Sequence, residues 1–286
     1  MTPEIFDDRP CELGEGAFWH PERGQLFWFD ILGQRLLSRR DDAPLEWRFD
    51  RPVSAAGWID HDTLLIAGAG QLMRFSLATG SVETVSALEP DRPGNRANDG
   101  RADPYGGFWI STMGLNAETG AGSICRYYRG EIRRLHDGVT IPNAISFSPD
   151  GAYACFADTA QRRIWRQRLG KDGWPAGDPA LFLDLSKQGL NPDGAVFDED
   201  GFLWLACWGG ASVIRFAADG REERRIPLPV SQPTCPAFGG ADLSTLYLTS
   251  AREGLTQHDL AARPLAGSVF RVGAPFKGLP EARVIL

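Results

Sequence analysis

Lysine is nearly absent from this chain. Of its 30 lysine and arginine residues only Lys171, Lys187 and Lys277 are lysines, and 37 acidic residues leave a formal net charge of −7. Such a surface is a poor partner for phosphate backbones and anionic membranes. Neither nucleic acid nor a membrane is therefore expected as a partner. The five cysteines (Cys11, Cys125, Cys155, Cys207 and Cys235) are odd in number and scattered, with no C-x-x-C pair. That excludes a cysteine zinc site and a disulfide framework and leaves buried thiols acting as small hydrophobes. The four histidines, His20, His61, His136 and His258, stand far apart and are expected in turns or on the surface. No run of ~18 apolar residues occurs. Met1 to Asp8 shows no basic segment followed by an apolar stretch, so a cytoplasmic protein is the expectation. There is no P-loop, no dinucleotide fingerprint, no His-Glu-x-x-His and no Gly-x-Ser-x-Gly elbow. Nucleotide, zincin and serine-hydrolase chemistries lose their usual signatures with them.

What the chain does have is 33 glycines and 20 prolines spread along 286 residues, as a protein of many short strands and turns requires. The order behind them is a repeat. Pro142-Asn-Ala-Ile-Ser-Phe-Ser-Pro-Asp-Gly151 and Pro192-Asp-Gly-Ala-Val-Phe-Asp-Glu-Asp-Gly201 share one plan. A polar residue follows proline, then comes an apolar stretch, then an Asp-Gly turn and a second apolar strand. The same unit recurs around Glu15 and Asn98, and more weakly around Ser54 and Thr234. The starts at Glu15, Ser54, Asn98, Asn143, Asp193 and Thr234 are spaced by 39, 44, 45, 50 and 41 residues, the size of a four-stranded propeller blade. Six such units use up residues 1–286 as one domain, an all-β six-bladed β-propeller. Glu4–Phe6 and Ala282–Leu286 both read as strands. One is expected to complete the blade built by the other, because an open ring leaves bare sheet edges. Trp19, Trp28, Trp58, Trp109 and Trp204 fall inside strand patterns and read as core.

In a propeller the first strand of each blade lines the central channel. The six starts therefore form a polar ring at one mouth. Two carboxylates, Glu15 and Asp193, would repel each other there unless a counter-charge were present. The ring is either a water-lined pore or a seat for a cation. Its oxygen donors suit one divalent ion, Ca²⁺, Mg²⁺, Mn²⁺ or Zn²⁺. Few protein ligands would leave coordination positions free, as catalytic sites do.

These residues resemble the gluconolactonase and regucalcin family, also called the senescence-marker-protein family. The strongest points are Leu13-Gly-Glu-Gly16 with Trp19, Asn95-Arg-Ala-Asn-Asp-Gly100 with Asp103-Pro104, Gly107-Phe-Trp-Ile-Ser-Thr-Met113, Pro142-Asn143 with Phe147-Ser-Pro-Asp-Gly151, and Pro192-Asp-Gly194. The resemblance implies a six-bladed propeller with one divalent ion on Glu15, Asn143 and Asp193. It implies substrate contacts from Arg96 and Asn98, and from Glu118 in the variable Leu115–Gly122 loop. Two positions depart from the family pattern. Ala144 stands where glycine is usual after Pro-Asn, and Ala17 follows Glu15-Gly16 where proline is common after the glutamate.

The implied activity is hydrolysis of a sugar lactone to its aldonic acid. Asp193 is the expected catalytic residue, orienting or deprotonating the attacking water. A metal-bound hydroxide is the competing nucleophile. Arg96 and Asn98 would position the substrate. A paraoxonase-type esterase or phosphotriesterase and a non-catalytic binding platform are the alternatives. The expected partner is a small lactone, and a monomer and a weak dimer fit equally. Trp208 and Asp158, each following the second strand of a blade, either wall the pocket or pack the blade.

Overall fold

A computed structural model describes all 286 residues. The Asp-Gly pairs close hairpins, with Gly151 at φ 68° and Gly201 at φ 82°, left-handed values that glycine adopts without strain. Between such turns the chain forms β1 (Glu4–Asp7) and then antiparallel four-stranded sheets in sequence. The first blade holds β2 (Gly14–His20), β3 (Gln25–Asp30), β4 (Arg35–Arg40) and β5 (Ala43–Arg48). The second holds β6 (Val53–Asp60), β7 (Thr63–Gly68), β8 (Gln71–Ser76) and β9 (Val82–Ala87). The third holds β10 (Asn95–Ala102), β11 (Phe108–Gly114), β12 (Gly122–Tyr128) and β13 (Glu131–Val139). The fourth holds β14 (Pro142–Phe147), β15 (Tyr153–Asp158), β16 (Arg163–Arg168) and β17 (Ala180–Asp184). The fifth holds β18 (Asn191–Phe197), β19 (Leu203–Trp208), β20 (Ser212–Phe216) and β21 (Glu222–Pro227). The sixth is β22 (Pro233–Gly239), β23 (Thr245–Ser250) and β24 (Val269–Gly273), with β1 as its outer strand. This is a six-bladed β-propeller.

The N-terminus closes the ring, Glu4 pairing with Arg271 and Ile5 with Phe270. The C-terminus does not form the expected strand, because β1 already covers the sheet edge. Residues 281–285 instead strap the second and third blades. Val284 N donates to Trp58 O at 2.9 Å, Ile285 N to Gly106 O at 2.8 Å, and Glu281 pairs with the half-buried Arg101. A six-residue helix, α1 (Gln257–Ala262), interrupts the sixth blade and is held by a Thr256–Asp259 capping box.

The core lies between blades rather than at one centre. One cluster joins Ala144, Cys155 and Ile164 of the fourth blade to Leu203, Leu205 and Ile214 of the fifth. Trp28, Trp109 and Trp204 are fully buried in such layers, each worth roughly 2–3 kcal/mol of burial. Trp19 and Trp58 are only half-buried. All five cysteines are free and buried. Two histidines depart from expectation. His20 is fully buried at the end of β2, bonded through Nε2 to Asp60 O at 3.1 Å. His136 is half-buried and stacks on Phe156 with ring centroids 4.3 Å apart.

One feature of the inner strands was not visible in the repeat. All six inner strands lose register with their neighbour at the ring residue, between Glu15 and Phe18, Val53 and Ala55, Ala97 and Gly100, Asn143 and Ser146, Pro192 and Ala195, and Pro233 and Pro236. A bulge adds one residue and bends the strand, which re-aims the side chain at that point. Gly16 and Ala144, each just after a ring residue, take φ values of 56° and 57°. Ala144 thus holds a left-handed backbone where the resemblance leads one to expect glycine.

Candidate functional site

The bulges aim Glu15, Asn98, Asn143 and Asp193 into a cavity of about 500 Å³ at one mouth of the channel. The other two ring members are buried away from it. Thr234 Oγ1 donates to Gly14 O and shares a hydrogen bond with Thr249 Oγ1 at 2.8 Å. The Ser54 carbonyl backs against Gly16 so closely that a Cβ there would sit 2.1 Å from its oxygen. The ring of six therefore becomes a set of four.

Asn98 and Asn143 are oriented by a directional line of hydrogen bonds. Arg96 Nη1 donates to Asn98 Oδ1 at 2.7 Å, and Asn98 Nδ2 donates to Asn143 Oδ1 at 2.9 Å. Asn143 Nδ2 donates to Thr159 Oγ1 at 2.9 Å, and that hydroxyl donates to Pro192 O at 2.6 Å. The line runs from β10 through β14 to the residue before Asp193. Donors and acceptors alternate without conflict, so the Asn143 carbonyl oxygen is fixed in one direction.

Glu15 and Asp193 lie within hydrogen-bonding reach of each other. Burial drives both upward. Asp99 then raises Glu15, to about 8, and the Glu15 charge followed by Asp99 raises Asp193 well above the usual carboxylate range. Asp99, which accepts from Ile145 N at 2.7 Å, is itself pushed up to about 6 by burial. Three buried carboxyl groups in mutual repulsion call for positive charge. Arg96 supplies one charge. It is 7 % exposed, and burial pulls its guanidinium down against the attraction of Glu253, Glu15 and Asp193. No three His, Cys, Asp or Glu side chains gather as a metal cluster. Two carboxylates and one amide oxygen form instead a hard, all-oxygen donor set, and a divalent cation fits it on charge and on chemistry.

Glu118 does not reach the cavity. Its exposed carboxylate turns back on its own loop, accepting from Asn116 N at 3.1 Å and Asn116 Nδ2 at 3.0 Å. Leu115, Asn116 and Ala117 line the wall instead. Trp208 lines the cavity too. Asp158 is structural. It is 1 % exposed and accepts from the amides of Thr140, Ile141 and Ala160.

Four polar wall residues escaped the sequence reading, namely Thr159, Arg162, Asn191 and Glu253. Arg162 Nε donates to Asn191 Oδ1 at 2.9 Å, and Asn191 Nδ2 donates to Trp208 O at 3.1 Å. Thr159, Arg162 and Glu253 all follow the second strand of a blade, as does Leu115, and Trp208 is the last residue of such a strand. Those connections meet at the same mouth as the first-strand starts. That shared position was the available signal.

The chain has close relatives of known sequence and structure. Residues 13–252 match the SMP-30/gluconolactonase/LRE-like region. A crystal structure described as a calcium-binding protein, regucalcin, from Agrobacterium tumefaciens is 39 % identical. It superimposes with a TM-score of 0.95 over 99 % of this chain and 97 % of that one. An L-arabinolactonase of Azospirillum brasilense is 36 % identical, covering 98 % of this chain and 94 % of its own. A 6-deoxy-6-sulfogluconolactonase of Pseudomonas putida is 34 % identical, covering 93 % and 94 %.

Proposed function

The chain belongs to the SMP-30/gluconolactonase/LRE-like family, and from that premise we propose that it is an ester-bond hydrolase that opens a sugar lactone to the aldonic acid with one divalent cation held by Glu15, Asn143 and Asp193. The observation that carries this reading is the pair of adjacent buried carboxyl groups of Glu15 and Asp193, both raised chiefly by burial, in a cavity that also presents Arg96. When bound, the cation supplies Lewis-acid polarisation of the lactone carbonyl and compensates the two carboxylates.

The chain's own residues supply the remainder. Arg96 uses only Nη1 on protein acceptors, at Ala97 O and Asn98 Oδ1. Its Nε and Nη2 remain to hold the carbonyl or ring oxygens of the lactone, which fixes the substrate for attack. Asp193 accepts a proton from the water that adds to the carbonyl carbon. The carbon–oxygen bond of the ring then breaks, and that proton passes to the departing ring oxygen as the new hydroxyl. Leu13, Met113, Ile141 and Trp208 give the cavity apolar walls that limit access of further water.

The test is proton release from a panel of aldonolactones by metal-stripped and metal-restored protein. Turnover restored by a divalent ion, and reduced at least 100-fold in Asp193→Asn, is the expected result. Turnover that survives rigorous chelation would remove the cation from the reading. No turnover above spontaneous hydrolysis would remove the lactonase.

A further inference from the structure

The cavity contains a charged group that this chemistry leaves idle. Glu253 follows β23 of the sixth blade, and Arg96 lies on β10 of the third, diametrically across a ring of six. The backbone of Glu253 is clamped. Its N donates to Glu12 O at 2.9 Å, and its O accepts from Gln232 Nε2 at 2.9 Å. Its half-buried carboxylate lines the cavity, accepts no hydrogen bond from the protein and touches no cation. Burial raises it, and the Arg96 charge pulls the other way from beyond ion-pair distance. On the far side, Arg96 keeps Nε and Nη2 without protein partners.

A pair of acceptor oxygens facing a pair of donors that the protein leaves unused, across one cavity, is a polar clamp for a ligand that carries both acceptors and donors. A partly desolvated carboxylate without donors is costly, and ligand hydroxyls relieve that cost. Two syn-oriented acceptor oxygens match two adjacent hydroxyls of a sugar ring. Glu118, the acid that the family resemblance implies for substrate contact, is occupied by Asn116 and turned out of the cavity.

We infer that Glu253 is a substrate-binding residue that accepts hydrogen bonds from adjacent ring hydroxyls of the lactone, opposite the Arg96 donors, and so selects polyhydroxylated lactones over bare ones. The inference rests on the lactonase reading above and assigns the recognition of its substrate's hydroxyls.

Steady-state kinetics of the metal-loaded wild type, Glu253→Gln and Glu253→Ala test it. The substrates are the δ-aldonolactone the wild type turns over best and δ-valerolactone, the same six-membered ring without hydroxyls. Glu253→Ala is expected to raise KM for the aldonolactone about 10-fold or more, the scale of hydrogen bonds to a charged group. It should leave kcat within about 3-fold and the δ-valerolactone constants nearly unchanged. Glu253→Gln, which keeps one acceptor oxygen, should fall between. Unchanged KM in both variants overturns the inference. So does an equal loss on the two substrates at unchanged melting temperature, since a bare ring offers Glu253 nothing to hold. A wild type that opens neither lactone overturns the lactonase reading and takes this inference with it.

Discussion

Asn98 donates through Nδ2 to Asn143 Oδ1 at 2.9 Å. Neither residue alone defines its orientation. Asn98 is held from behind by Arg96, and Asn143 is held from the front by Thr159. A small hydroxyl at Thr159, which also anchors to Pro192 O, therefore fixes the amide that faces the two acids.

Thr159→Val removes that hydroxyl at nearly constant volume. It should weaken divalent-ion binding or lactone turnover by about 10- to 100-fold, the usual effect of losing a partner that orients a ligand. Thr159→Ser should retain most of both. Titration calorimetry with Mn²⁺ or Ca²⁺ reads the first effect directly. Undiminished affinity in Thr159→Val would mean that Asn143 does not depend on this line.

Gly16→Ala should destabilise the protein by at least about 2 kcal/mol. Its backbone is left-handed, which costs any L-residue with a Cβ about 1–2 kcal/mol. The added carbon would also meet Ser54 O at 2.1 Å. Urea unfolding should show a lower midpoint at unchanged slope. A wild-type midpoint would contradict the close approach of the first and second blades.

His136 should make stability fall in mild acid. Burial pulls its imidazole down to about 4, and its Nε2 has no hydrogen-bond partner. The folded value lies below the unfolded one of about 6.5, so the unfolded chain binds the extra proton between those limits. The contribution is whole above about pH 6.5 and is lost as pH falls toward 4. At pH 4.5 the loss should be roughly 2 kcal/mol relative to pH 7. Comparing unfolding at the two pH values in wild type and His136→Phe isolates it. Equal pH sensitivity in the two proteins would assign the acid loss to carboxylates alone.

Asp198→Ala should cost about 3 kcal/mol while leaving turnover per folded molecule intact. Asp198 sits in the turn between β18 and β19, at the far end of the blade from Asp193. It accepts from Trp204 Nε1 at 2.9 Å, Phe202 N at 3.0 Å and the buried Arg215 Nε at 2.7 Å. Its removal takes the shortest and most buried partner from a guanidinium that is 3 % exposed, leaving it Glu223 at 3.2 Å and Asp200 at 3.4 Å, and it also leaves Trp204 Nε1 without an acceptor. Denaturant midpoints and specific activity measured together distinguish a stability role from a role in the site.

The blades could be read in advance because each is local. Apolar alternation, an Asp-Gly turn and a second apolar strand are statements about neighbours in the chain, and their recurrence from Glu15 to Thr234 needs no long-range information. The positions of Glu15, Asn143 and Asp193 at strand starts came from the same periodicity. Glu118 could not be placed in this way, because its direction depends on whether Asn116 or the cavity captures its carboxylate. His20 was misplaced for a similar reason. The repeat marked a turn, but Asp60 of the next blade supplies the oxygen that lets an imidazole be buried there.

By itself the sequence determined the number of blades, their order and the short list of polar residues that open the inner strands. Tertiary structure alone decided which of those residues share a cavity. Ser54 and Thr234 carry the right chemistry, but packing of the second blade on the first and of the sixth on the first keeps both out. Glu253 follows a strand with no motif around it, and only ring closure brings it opposite Arg96, 157 positions earlier in the chain. Side-chain direction at a channel mouth is set by hydrogen bonds and close approaches between blades. Those partners lie some 30 or more residues apart, beyond the reach of any local pattern.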